Sequence, residues 1–384
     1  MTTTFTTLEN LATVKESIGT PKRYGFIIDQ SVTNSTDCVS YIYDAYGMIP
    51  AGLDANNVFQ YGSWKDFCDD INYPVMLAAD GTELYRLDPE DQTKRIDGEA
   101  VDYTDGNMMA AFKRLWLSIT QDGSKIKVVF CTERLDPTYQ AEAFYNEYGE
   151  LKDIIYHSMF NCTGSSSQPI KSSVNLSPTR DITIADFRTA CSNTGSAWRA
   201  PSYAFRIYLA MLHTLISKCV ECNYSFGRGH AASSPITSGS LVSTGGFAGT
   251  RVDSMHAVKS FYVENLWGNV PTLCEGFNCK DDYYWIKSRP PYSTDTSDLY
   301  GFKKCGGVLD GMLVALTAQD GLVYPSAVSN ASEDQLYYAY TGGTYIHTAD
   351  NMFAGGTGTD NSNNSLWTFY SSTASMGIHV LAYA

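Results

Sequence analysis

The residues best able to do chemistry in this 384-residue chain are ten cysteines, at positions 38, 68, 131, 162, 191, 219, 222, 274, 279 and 305. Cys219-Val-Glu-Cys222 has the C-x-x-C spacing that can chelate a metal or cycle between dithiol and disulfide. A zinc ribbon needs a second tight pair, and Cys274 and Cys279 have four residues between them. A redox pair belongs to a βαβ context, whereas this one ends a long helical pattern. The N-terminal "MTTTFTTLENLATVKESIG" lacks a basic segment followed by an apolar one, so no export signal is expected. Without export, free structural thiols are the expectation.

Other candidate groups are sparser. Asp69-Asp70 and Asp281-Asp282 are paired carboxylates, which a glycosidase would need at a set separation. Such pairs also sit in solvated turns. His347 and His379 are the only histidines beyond residue 256, and each stands alone in sequence. Asp360, with Asn361, Asn363 and Asn364, offers oxygen ligands of the kind calcium takes, but without the D-x-D-x-D-G spacing of a calcium loop. No G-x-S-x-G, H-E-x-x-H or phosphate-loop motif occurs. We expect neither catalysis nor a metal or other cofactor.

The elements that must position these groups read mainly as short strands. Aromatics make up 13% of the chain and charged residues only 18%, with 31 glycines, a β-rich and loop-rich balance. Asp80-Gly81 and Asp122-Gly123 each separate two apolar runs, the strongest short hairpin signals present. Helical pattern is confined to two stretches. Thr183 is placed to cap Thr183–Asn193 from three residues before Asp186. Ala200–Cys222 carries Phe205, Tyr208, Leu209, Leu212, Leu215 and Ile216 at amphipathic spacing, with Pro201 in its first turn. No run approaches the length of a membrane span, so insertion is not expected. A net charge of −14 gives nucleic acid no basic face to bind.

Several ordered motifs resemble one family. "ENLWGNV" (264–270) is similar to the signature of C-type lectin folds of the formylglycine-generating-enzyme-like branch. That branch includes the variable proteins of diversity-generating retroelements and many receptor-binding proteins of gut phages. "YIYDAYGMIPAG" (41–52), "YGSWKDF" with "NYPVML", "YRLDPEDQTKRIDG", "NMMAAFKRLW" and "FGRGH" resemble segments of the phage proteins in the same order. The C-terminal "AGGTGTDNSNNSLWTFYSSTASMGIHVLAY" resembles their closing layout. Where the signature continues Trp-Glu-Trp, this chain has Pro271-Thr272-Leu273. The enzymes of the branch hold copper with C-terminal cysteines, and residues 306–384 contain none.

The resemblance implies an α+β protein: a C-type lectin-like domain at 106–384, with two helices, short antiparallel strands and long loops, behind a small β-rich attachment or oligomerisation region at 1–105. It implies a virion protein, a tail- or head-fibre receptor-binding subunit and homotrimer. That subunit would contact other phage structural proteins through its N-terminal region and a bacterial surface glycan or protein through its C-terminal face. A formylglycine-generating-like enzyme or surface depolymerase, and a purely structural virion component, are the alternatives. The expected contact set is Tyr337, Tyr338, Tyr340, Tyr345, His347, Asn361, Asn363, Asn364, Trp367, Phe369 and Tyr370, rigid aromatics among adaptable polar neighbours. On a strand, about half of the aromatics would turn inward. Glu264, Asn265, Trp267, Gly268 and Asn269 are expected to be structural frame.

Overall fold

The computed structural model describes residues 21–231, 234–293, 298–329, 336–337, 340–343, 350–354, 365–367, 369–371 and 378–383, with backbone alone for 340–343, 350–354 and 369–371. The Thr-rich arm at 1–20 lies outside them. Three sheets dominate. The first runs Val39–Tyr43, Arg23–Asp29, Lys125–Cys131, Trp116–Asp122 in spatial order. The second runs Trp198–Arg199, Leu381–Ala382, Ile154–Ser158, Asn107–Lys113, Asn72–Leu77, Glu83–Arg86. The third has eight strands: Lys303–Gly307, Tyr283–Ile286, Thr272–Lys280, Asp350–Ala354, Phe369–Ser371, Tyr340–Gly343, Gly311–Gln319, Leu322–Ser329.

The expected α+β, lectin-like class with two helices is overturned. Of the described residues 35% are strand and 13% helix, in many small antiparallel sheets with four short α-helices. These helices are α1 (Lys65–Ile71), α2 (Ile184–Thr194), α3 (Tyr203–Ser217) and α4 (Cys222–Phe226). Turn chemistry explains much of the strand content. Asn72–Leu77 pairs with Glu83–Arg86 across a loop in which Gly81 has φ +95°. Trp116–Asp122 pairs with Lys125–Cys131 across Gly123 at φ +57°. Asp281 and Asp282, at φ +51° and +62°, form the two-residue turn between Thr272–Lys280 and Tyr283–Ile286. The expected division after residue 105 runs through two sheets. Arg23–Asp29 pairs with Lys125–Cys131, and Asn72–Leu77 with Asn107–Lys113.

Thr183 caps α2, its hydroxyl accepting the Asp186 amide at 3.1 Å. The longer helical stretch differs from expectation at both ends. Ser202, not Pro201, opens α3 by accepting the Phe205 amide. The helix stops at Ser217 because Lys218 turns left-handed at φ +54°, so Cys219 and Cys222 follow α3 rather than end it. Nor is α3 amphipathic in place: all fifteen residues are buried. A helix buried on every side must satisfy its polar groups internally. Thr214 and Ser217 donate to carbonyls one turn back, at Ala210 and His213. Tyr203 donates to Val323 O at 2.6 Å in the third sheet.

Arg206 goes further. Its guanidinium is buried, and Nε donates to Leu366 O at 3.0 Å, Nη1 to Leu266 O at 2.7 Å and Nη2 to Ser365 O at 3.2 Å. Burial lowers its pKa to about 10, which leaves it charged at neutral pH. Three carbonyls from two distant segments thus meet one planar donor group, a geometry a lysine cannot reproduce. An Arg206→Lys variant leaves buried carbonyls without donors, at about 1–3 kcal/mol for each. We predict a loss of roughly 2–5 kcal/mol in denaturant unfolding; a variant as stable as the parent would show that this clamp contributes nothing.

Candidate functional site

The stretch Glu264–Val270 is a buried junction. Glu264 is fully buried, and its carboxylate accepts the Gly239 and Leu241 amides at 3.0 and 2.8 Å. Burial pushes its pKa up, and the Lys259 ammonium pulls it back down. Lys259, also fully buried, donates to Leu241 O, Thr244 O and the Gln92 side chain, and burial pushes its pKa down. Trp267 donates through Nε1 to Gly227 O at 3.0 Å. Asn265 and Asn269 adopt φ of +57° and +61°, a region asparagine tolerates. Gly268, at φ +76°, has room for no side chain: a Cβ there would lie 2.7 Å from His230 O. These groups hold the Gly/Ser-rich segment 227–250, whose described residues have no helix or strand of their own. Just before them, Phe261 and Tyr262 form a two-residue hairpin turn at φ +48° and +65° with both rings buried. Bulky residues are rare in that conformation, and the surrounding aromatic packing holds them there.

Asn269 extends the junction into a polar chain. Its Nδ2 donates to Asn161 Oδ1 at 2.9 Å, and Asn161 Nδ2 donates to His379 Nε2 at 2.8 Å. His379 Nδ1 therefore carries the proton and faces Ser158 Oγ at 3.0 Å. His157 lies against His379 with ring centroids 4.9 Å apart. His213 sits apart, between Leu209 O and Ser260 Oγ. Burial lowers all three: His213 to about 3, His379 to about 4, and His157 well below 6.5. These are neutral core histidines.

The expected contact set divides. Trp367 and Tyr337 are core residues, not contacts. The Trp367 indole donates to Val220 O at 3.1 Å, Tyr337 donates to Gln30 Oε1 at 2.8 Å, and both are buried. Tyr340, Phe369 and Tyr370 lie on neighbouring strands of the third sheet. Thr341 pairs with Phe369 and Gly342 with Tyr370, in parallel. Phe353 pairs with Tyr370 on the other side. Tyr338, Tyr345, His347, Asn361, Asn363 and Asn364 lie outside the described residues, as does Asp360. The strand register still bears on the expected single face. The chain leaves Gly343 and re-enters at Asp350 at the end of the strands marked by Ser371, and leaves Ala354 at the opposite end, marked by Phe369.

Among the described residues the cysteines form no disulfide. Cys222 Sγ accepts the Leu366 amide at 3.3 Å, and burial pushes its thiol up to about 12. Among the described residues no group of three or more His, Cys, Asp or Glu side chains could hold a metal ion. Asp69 pairs with Lys65 and Asp70 with Lys113 at the surface. No helix among the described residues is long and apolar enough to cross a membrane.

A cleft that sequence reasoning missed lies where α2, Trp198–Arg199 and Thr272–Lys280 meet, with a volume of about 320 Å³. Two ion pairs line it. Arg188 donates through Nε to Glu275 Oε1 and through Nη2 to Ser293 O at 2.9 Å. Arg199 pairs with Glu147. Its Nε–H is buried with no acceptor among the described residues, a cost of the kind that accumulates at functional sites. Burial raises the Glu275 pKa, and Arg188 pulls it back. Tyr292 and Tyr383 complete the polar lining, and burial raises both so that their hydroxyls remain donors. Pro290 and Pro291 form an apolar rim. The charged residues come from positions 147, 188, 199 and 275, so no local motif announces them. The only cue is charge in otherwise apolar strand and helix patterns. No protein-family model matches the chain, and no curated protein does.

The three histidines set the response to acid. As pH falls through 6.5 the unfolded chain takes up a proton at each, while the folded chain resists until about 4 or below. Stability present above 6.5 is therefore lost as pH falls below it, down to about 4 for His379 and about 3 for His213. Glu264 and Glu275, with raised pKa values, act with the opposite sign and offset part of it. Each histidine contributes a slope of about 1.4 kcal/mol per pH unit within that window. His213→Gln should make the measured slope shallower by about that amount; an unchanged slope would mean that His213 is not held neutral.

Proposed function

We propose that this chain is a phage virion protein, a receptor-binding subunit of a tail or head fibre that contacts a bacterial surface glycan or protein. Several copies, three by expectation, act together, so that weak single sites add to firm attachment. The N-terminal region carries contacts to other virion proteins, and the C-terminal half carries recognition. The ordered motifs from residue 23 onward support the reading. One observation of the fold carries it further. Tyr340–Gly343, Phe369–Ser371 and Asp350–Ala354 lie side by side within the third sheet, so Tyr340, Phe369 and Tyr370 stand on neighbouring strands though separated in sequence. Tyr, Ser, Gly and Asn in the sequence around them are the chemistry of adaptable binding surfaces.

The test is adsorption of the purified protein to a panel of bacterial isolates, beside a Tyr338→Ala, Tyr340→Ala, Tyr370→Ala variant. Trp367 and Tyr337 stay unaltered because both are core. We expect roughly tenfold or greater loss of bound protein with unchanged thermal unfolding. A parent that adsorbs to no isolate, or a variant that adsorbs as well as the parent, overturns the assignment.

A further inference from the structure

We propose that the cleft between α2 and the Pro290–Tyr292 turn binds one ring of a neutral polyhydroxylated ligand, a single saccharide unit. Its size fits: about 320 Å³ is at the small end of ligand pockets, enough for one ring with a longer chain leaving through the mouth. Its charge excludes other classes. Arg188 and Arg199 are each neutralised, by Glu275 and Glu147, so an anionic ligand would face two carboxylates. A cation would face two guanidinium groups. A neutral ligand meets neither penalty, and the cost of desolvating the four charges is already met by their mutual pairing.

The hydrogen-bonding pattern fits as well. A sugar hydroxyl both donates and accepts, so a ring of hydroxyls needs donors and acceptors interleaved around it. The cleft is lined by the Arg188 and Arg199 guanidinium groups and the Tyr383 hydroxyl as donors and by the Glu147 and Glu275 carboxylates as acceptors, while the Tyr292 hydroxyl already donates to Ser288 O at 3.4 Å. Pro290, Pro291 and the Tyr292 ring give the flat apolar wall that a sugar's C–H face requires. Glu275 and Arg188 hold each other in place before any ligand arrives. Such preorganisation limits the entropy lost on binding.

The inference goes beyond the virion assignment and stands on separate residues: a purified chain can bind a sugar here whether or not it adsorbs to cells. The experiment is saturation-transfer NMR followed by calorimetry, using glucose, galactose, mannose, rhamnose and N-acetylglucosamine as probes and inorganic phosphate as the charged control. Ser192, exposed on α2 at the cleft one turn from Arg188, is changed to Trp to fill the opening. A second variant, Glu147→Gln, removes one acceptor charge at a part-exposed position. We expect saturable binding of at least one sugar, its loss in Ser192→Trp, and roughly tenfold or greater weakening in Glu147→Gln, with both variants unfolding as the parent does. Binding of none of these sugars by the parent, sugar binding that survives Ser192→Trp, or displacement of the sugar by phosphate would overturn it.

Discussion

A single buried guanidinium organises this fold. Arg206 sits in a helix with no exposed residue, and its three hydrogen bonds run to the Glu264–Val270 junction and to the segment Ser365–Trp367. A charge in that position is tolerable only while all three carbonyls are in place. The helix, the junction and the C-terminal segment are therefore mutually dependent. The junction passes the constraint outward: Glu264 fixes the 239–241 backbone, Trp267 fixes Gly227, and Asn269 reaches Asn161 and His379. Irregular chain becomes rigid here because buried polar groups, not a hydrogen-bonded ladder, define its path.

Local signals in the sequence were the ones that translated into structure. The two Asp-Gly turns, the Thr183 cap and the strand-rich balance rest on interactions within a few residues, and each has its counterpart in the fold. Where an outcome depended on distant partners, the sequence misled. The α3 pattern has the spacing of an amphipathic helix, yet its polar positions face Ser260, Leu266 and Leu366 rather than water. The two-helix, lectin-like class failed because it was carried by resemblance, while the sheets pair strands as far apart as Tyr156 and Ala382. Trp367 and Tyr337 had the composition of contact residues, and only their long-range partners Val220 and Gln30 reveal them as core. The cleft was invisible for the same reason, since Glu147 and Arg199 meet only in three dimensions.

The buried frame and the cleft differ in how their polar groups are used. The buried polar network consumes its hydrogen-bonding capacity internally and has little to offer a ligand. The cleft, by contrast, is lined by two ion pairs, Arg188–Glu275 and Arg199–Glu147. Side chains outside the frame can change with little effect on stability, whereas Gly268, hemmed in by the His230 backbone, cannot.

Leu381–Ala382 is inserted between Ile154–Ser158 and Trp198–Arg199, not added at a sheet edge. Synthesis on the ribosome gives that placement a temporal meaning. Until the residues near 380 have emerged, Ile154–Ser158 exposes an open edge and Ser158 lacks the Val380 carbonyl that its amide bonds. The nascent chain must carry that unpaired edge while residues 159–380 are made, a window in which neighbouring nascent chains can pair with it instead. A factor that shields strand edges during synthesis would act on a step that the stability of the finished fold does not reach.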